Sequence, residues 1–125
     1  MALTNVGRND FAADIIGGAI TEFDNANAHI GVGDGTGVFA KAQTDLQGAS
    51  KFRQPMVATY PQIATNVLTF RAVYATGDAN FAWEEWGVFN AVAGGTMLNR
   101  KVESLGTKAS SQSWQFTVTL TVDNP

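Results

Sequence analysis

The sequence predicts a mainly β protein, an antiparallel β-sandwich with a short N-terminal helix or arm. Three stretches carry that prediction. In residues 114–122, Trp114, Phe116, Val118, Leu120 and Val122 alternate strictly with Gln115, Thr117, Thr119 and Thr121, the period of a strand with one face in a core. In residues 66–75, Leu68, Phe70, Ala72 and Tyr74 alternate with Val67, Thr69, Arg71 and Val73. The third stretch, residues 81–90, is followed by a Gly94-Gly95 turn and by residues 96–102, a hairpin pattern.

The remaining elements follow in chain order. Asn9 or Asp10 is a candidate N-cap ahead of residues 11–16, and Gly17-Gly18 stops the pattern, so residues 1–26 form a helical arm or lid. The sandwich occupies 27–125 of a single domain. Residues 29–33 read as a short strand and 34–37 as a loop. Residues 38–51 keep no sustained period, with one helical turn expected at 44–47; long connections of this kind are often functional. A strand is expected over 54–60, ended by Pro61, and residues 76–79 supply the turn after 66–75. The uncharged Gln and Thr of the last strand would leave an edge able to pair with another chain.

A chain of 125 residues with 45% hydrophobic content can bury one core. Charged residues make up only 15%, well under the roughly 25% of an average domain, which suits a surface partly covered by neighbours. The net charge of −3 and the scattered Lys and Arg give no stripe for phosphates, so nucleic acid is not an expected partner. Lys51, Arg53, Arg100 and Lys101 read as solvated or salt-bridged positions. Without cysteine there is no disulfide framework, thiolate metal site or cysteine nucleophile. The N-terminus lacks a signal-peptide pattern and no segment approaches a membrane span, so a soluble chain made in the cytoplasm is expected, with no membrane partner.

Catalytic readings fail on geometry. Glu84 and Glu85 are adjacent, and on a strand adjacent side chains point to opposite faces, so they do not converge as an acid/base pair. Alternation puts Phe81, Trp83, Glu85, Gly87 and Phe89 on one face, and Ala82, Glu84, Trp86 and Val88 on the other. Both faces are largely apolar, so the strand is central or one face meets a partner. Glu85 among aromatics needs a cation or backbone donors, and Arg71 and Arg100 are the expected structural partners. The glycines at 31, 33, 35 and 37 match neither a dinucleotide fingerprint nor a phosphate loop; they read as a tight turn needing unusual backbone angles. Asp34 and Asp45 lack the spacing of a calcium loop. His29 is the only histidine, so one chain cannot build a zinc cluster, and no Gly-x-Ser-x-Gly elbow is present. No cofactor is expected.

Glu85-Trp86-Gly87-Val88-Phe89-Asn90, followed by Gly94-Gly95-Thr96-Met97-Leu98, resembles the Glu-x-Gly-hydrophobic-Phe, Gly-Thr-Met/Leu-Leu signature of tailed-phage tail-fibre and collar N-terminal domains. Trp86 stands where an aliphatic is commoner, and a chain without a fibre shaft is expected. Residues 28–34, 43–48, 68–71, 97–103 and 114–122 are also similar to short structural proteins of phages and prophages. This resemblance implies a non-enzymatic virion component, either a capsid decoration or cement protein or a tail-fibre or collar adaptor. It implies a cyclic homo-oligomer, a trimer by expectation, docked on the major capsid protein or on tail or collar proteins. The expected interface residues are Trp86, Val88, Phe11, Ile15, Phe39 and Leu46. A carbohydrate-binding module stacking sugars on Trp83, Trp86 or Tyr60 is the reading from another class.

Overall fold

The computed structural model describes residues 2–123. One helix, α1 (Asn5–Ile15), precedes seven strands: β1 (His29–Gly33), β2 (Lys51–Pro55), β3 (Gln62–Ala64), β4 (Val67–Tyr74), β5 (Ala82–Phe89), β6 (Lys101–Thr107) and β7 (Trp114–Thr121). A four-stranded sheet runs in the order β2-β1-β5-β6 and a three-stranded sheet in the order β3-β4-β7. Every pairing is antiparallel. The two sheets enclose the main core, so the chain is a β-sandwich with one N-terminal helix.

Alternation explains what each sheet contributes. Ile30 and Val32 of β1, Trp86 and Val88 of β5, Phe70, Ala72 and Tyr74 of β4, and Val118 and Leu120 of β7 fill the space between the sheets. Aromatic rings run through it edge to face. Tyr74 lies 4.7 Å from Trp83, Trp83 lies 4.9 Å from Trp114, and Trp86 lies 5.7 Å from Phe116, a geometry in which ring edges meet π faces favourably. The Tyr74 hydroxyl donates to Ile30 O at 2.7 Å across the sheets, and burial holds its phenol well above the usual value.

Strict alternation breaks in β5. The register against β6 shifts between Trp83 and Glu85, and such a bulge re-aims a side chain. Trp83 therefore joins Trp86 against Phe116 instead of facing away from it.

Several expected boundaries move. The helix begins at Asn5, not after Asn9 or Asp10, because Thr4 caps it by accepting from Gly7 N–H at 3.0 Å. Its end follows the glycines: Gly17 takes φ 72°, Gly17 N–H donates to Asp14 O and Gly18 N–H to Ala13 O, the Schellman arrangement. Nor is its first half a free arm, since Thr4 N–H donates to Leu98 O, Leu3 bridges Asn99, and Gly7 lies against the Leu98 backbone. The strand expected over 54–60 is β2, ending at Pro55; the chain then crosses between sheets through Thr59 at φ 72° and enters β3, which periodicity did not announce. Residues 44–47 form no helical turn. Val122 lies beyond β7 and is 54% exposed. The hairpin mate of β5 is delayed to 101–107, with only bridges at Met97 and Asn99 before it.

Candidate functional site

The 34–50 connection packs on the outer face of the four-stranded sheet, opposite the main core. Glu85, on that face of β5, is fully buried beneath it. One carboxylate oxygen accepts from Gly35 N–H at 2.9 Å and Gly48 N–H at 2.7 Å; the other accepts from Gln47 N–H at 2.9 Å and Arg100 Nε at 2.7 Å. One side chain thus ties two loop segments and β5 to the chain ahead of β6. The Glu85–Arg100 pair is buried on both sides, and Arg100 Nη1 reaches Gly37 O at 3.0 Å and Gln43 Oε1 at 3.2 Å. The whole 35–48 connection is pinned at both ends to one ion pair.

A local irregularity brings Arg100 there. Phe89 pairs with Met97 whereas Trp86 pairs with Lys101, so three steps along β5 face four along its mate. One residue is extra. Asn99 fills the gap by accepting from Val88 N–H at 3.1 Å through its side-chain oxygen. Arg71, the other partner expected for Glu85, lies on the opposite sheet: its Nε donates to Thr117 Oγ1 at 3.0 Å and its guanidinium covers the Tyr60 ring at 4.5 Å. The expectation fails because β4 and β5 belong to different sheets.

The glycine run receives a different explanation from the expected one. Among residues 31–37 no glycine has positive φ. Gly31 and Gly33 share the outer face of β1, where a Cβ would stand 2.6 Å from the Phe89 ring and 2.5 Å from Glu85 Oε2 respectively. A Cβ on Gly35 would also strike Glu85 Oε2. These glycines admit a carboxylate and a ring; backbone freedom is not what they supply. Gly87, on the same face of β5, admits the Asn99 carbonyl.

A second polar cluster anchors the connection at its far side. Asp34 accepts from Ser50 N–H at 3.0 Å. Asp45 meets Lys51 Nζ at 2.7 Å and Arg53 Nη2 at 3.3 Å, while Arg53 Nη1 donates to Ala91 O and Gly94 O and its guanidinium lies 3.6 Å from the Phe89 ring centre. Burial pushes the Asp45 carboxyl up, but the Lys51, Leu46 N–H and Arg53 hydrogen bonds outweigh it and hold the group below the ordinary 3.8. A carboxyl depressed by folding stabilises the fold above its unfolded pKa and loses that contribution as pH falls through the folded value. The Asp45 carboxyl is therefore expected to titrate below 3.8 by NMR, and Lys51→Met to move the midpoint back up. A midpoint unmoved by that substitution would contradict the Lys51 assignment.

The expected interface residues separate into groups. Trp86 is only 6% exposed, with Nε1–H donating to Glu103 Oε1 at 2.7 Å, and Val88 is fully buried; both are core of this chain, not neighbour-facing anchors. Leu46 is buried with Phe89 and Met97 under the connection. Phe11 and Phe39 are half-buried, and Ile15 stands 82% exposed at the end of α1. A sugar platform on Trp83 or Trp86 fails for the same reason of burial, and Tyr60 lies under Arg71. Sequence reasoning missed Gly35, Gln47 and Gly48 as donors. It also missed Lys108, whose buried Nζ donates to Ala75 O and Asn80 Oδ1. Glycine at alternate positions of one strand face was the available signal for the clamp.

Among the described residues no helix is long and apolar enough to cross a membrane, and no group of three His, Asp or Glu side chains converges as metal ligands. Comparison of the chain with protein-family models, curated proteins and solved structures finds no match.

Proposed function

We propose that this chain is a non-enzymatic structural component of a tailed-phage virion, a capsid decoration or cement protein that braces the assembled shell as a homo-oligomer. The observation that carries the reading is what the phage-like motif does within the fold. Glu85 clamps two loop segments, Gly87 admits the Asn99 carbonyl, Gly94 and Gly95 turn the hairpin at positive φ, and Met97 packs under Phe89. All five serve rigidity. Glu85, the most buried carboxylate, has both oxygens committed to donors, which suits a structural role better than a catalytic one. The low charge adds support, because a shell-bound protein gains from surfaces that dehydrate cheaply.

The same motif favours a second reading, a tail-fibre or collar adaptor. Quantitative mass spectrometry of purified particles from a phage carrying this gene separates them. Copy numbers comparable to the shell protein are expected for decoration, and numbers comparable to tail fibres would establish the adaptor. Absence from washed particles would overturn both.

A further inference from the structure

The charge of this chain is unevenly placed. Residues 2–26 carry Asp10, Asp14, Glu22 and Asp24 against Arg8 alone, which accounts for the entire net −3; the remaining seven acidic and seven basic residues balance. Those four carboxylates rim one groove of about 240 Å³ between α1 and the 20–24 segment. Its floor is apolar, formed by Phe11, Phe23, Leu68, Phe70 and Leu98.

Among the described residues none of the four carboxylates makes a salt bridge, and only Asp24 accepts a hydrogen bond, from Asn27. Of the seven acids elsewhere, Asp45, Glu85 and Glu103 each meet a cation, and Asp34, Asp78 and Glu84 each accept a hydrogen bond. Like charges gathered around an apolar floor repel one another and raise the potential for a cation above it. The adjoining chain is also open to a partner. Among the described residues, no backbone N–H from Ala19 to Phe23 donates to protein, and of their carbonyls only Thr21 O is claimed, by Asn90 Nδ2. A second cavity, of about 730 Å³, continues from the groove across Asp10 and Ile20, so the surface offers length as well as depth.

We infer that this groove binds a peptide segment of a partner protein in which an apolar side chain is flanked by Lys or Arg. The apolar side chain enters between Phe11 and Phe23, above Phe70. Flanking cations lie against Asp10, Asp14 and Glu22, with their aliphatic stems over the apolar rim. The free main chain of residues 19–23 supplies hydrogen bonds that fix the segment's direction. A second copy of this chain fits less well, because facing grooves would set four carboxylates against four. The assignment is independent of the virion reading: it concerns what the groove holds, wherever the chain resides.

Amide NMR of the full chain titrated with acetylated, amidated Lys-Phe-Lys-Leu-Lys, and separately with its counterpart bearing Glu for Lys, tests it. The basic peptide is expected to shift amides around Asp10, Ile20 and Phe23, and the acidic peptide to leave them unmoved. Asp14→Asn with Glu22→Gln is expected to weaken the basic peptide about tenfold, with the thermal melt not lowered, because these side chains have no partners within the chain to lose and their removal relieves repulsion. Phe23→Ser weakens it through the floor instead, and its spectrum reports whether the fold persists. Equal binding of both peptides, shifts confined to another surface, or no shift at the peptide's solubility limit would overturn the assignment. Concentration-dependent broadening of the groove amides without peptide would overturn it too, by making a second copy the occupant.

Discussion

Replacing Glu85 by Ala is expected to destabilise the fold by about 3–5 kcal/mol, the cost of stranding a buried charge whose partner is removed. Arg100 would keep its guanidinium inside without an anion, and Gly35, Gln47 and Gly48 would lose the acceptor for their backbone N–H groups. Two contributions are thus mixed, and a second variant separates them. In Glu85→Ala with Arg100→Met the unpaired cation is gone but the three N–H groups lose their acceptor, at about 1–3 kcal/mol for the buried Gly35 N–H and less for the part-buried Gln47 and Gly48 N–H groups, which water can reach. The double variant is therefore expected to recover only part of the loss in urea unfolding. Hydrogen exchange of the Gly35, Gln47 and Gly48 amides should accelerate in both variants before global unfolding. Full recovery in the double variant, with those amides still protected, would reduce the clamp to an ordinary ion pair.

The clamp also shows how far the sequence could be read. Strand alternation separates Glu84 from Glu85 and demands a donor for the buried one, and that much is local chemistry. Arg100 is reachable from hairpin pairing. Arg71 is not distinguishable from it, because neighbouring strand candidates along the chain carry no mark of which sheet each will join; β4 and β5 diverge. The three backbone donors are invisible for a related reason. Residues 35–48 lie far from Glu85 in sequence, and an irregular connection has no period to say which N–H groups point inward. The glycines did hold the information. Gly31 and Gly33 occupy one face of β1 while Ile30 and Val32 occupy the other, and a strand that omits side chains from one face makes room for something arriving from outside.

Boundaries failed where a single residue changes the period. The bulge between Trp83 and Glu85 reverses the predicted face of Trp83, and the extra residue before Lys101 delays β6. Neither position carries Pro, and although a glycine stands at each, Gly106 at φ 105° opposite Trp83 and Gly87 against the Asn99 carbonyl, a lone glycine in a strand does not say where the register shifts. Between Pro55 and Gln62 the chain leaves one sheet for the other without an interruption in composition until Pro61. The last strand, by contrast, was legible nearly to the residue, because Val118 and Leu120 face a core while Thr117, Thr119 and Thr121 face water. Prediction by period succeeds where burial is one-sided and uninterrupted.

Replacing Trp86 by Ala is the second substitution of large expected effect, about 3–5 kcal/mol in the stability of the isolated chain. The indole fills the space against Phe116 at 5.7 Å and its N–H satisfies Glu103. Loss of the ring leaves a cavity between two sheets whose strands are fixed by their ladders, so little collapse can offset it. Ile15 and Ile16 give the matching control, being 82% and 84% exposed. Changing both to Ser is expected to shift stability by no more than about 0.5 kcal/mol each. The two variants then address different levels of organisation. If α1 docks on a neighbour, the Ser variants alter sedimentation or particle incorporation while the urea midpoint stays put. Trp86→Ala lowers the midpoint first, and any loss of assembly follows the loss of folded chain in proportion. An unchanged midpoint with altered sedimentation in Trp86→Ala would return that tryptophan to the role of neighbour-facing anchor, and would require the core between β5 and β7 to be less filled than the Trp86–Phe116 contact indicates.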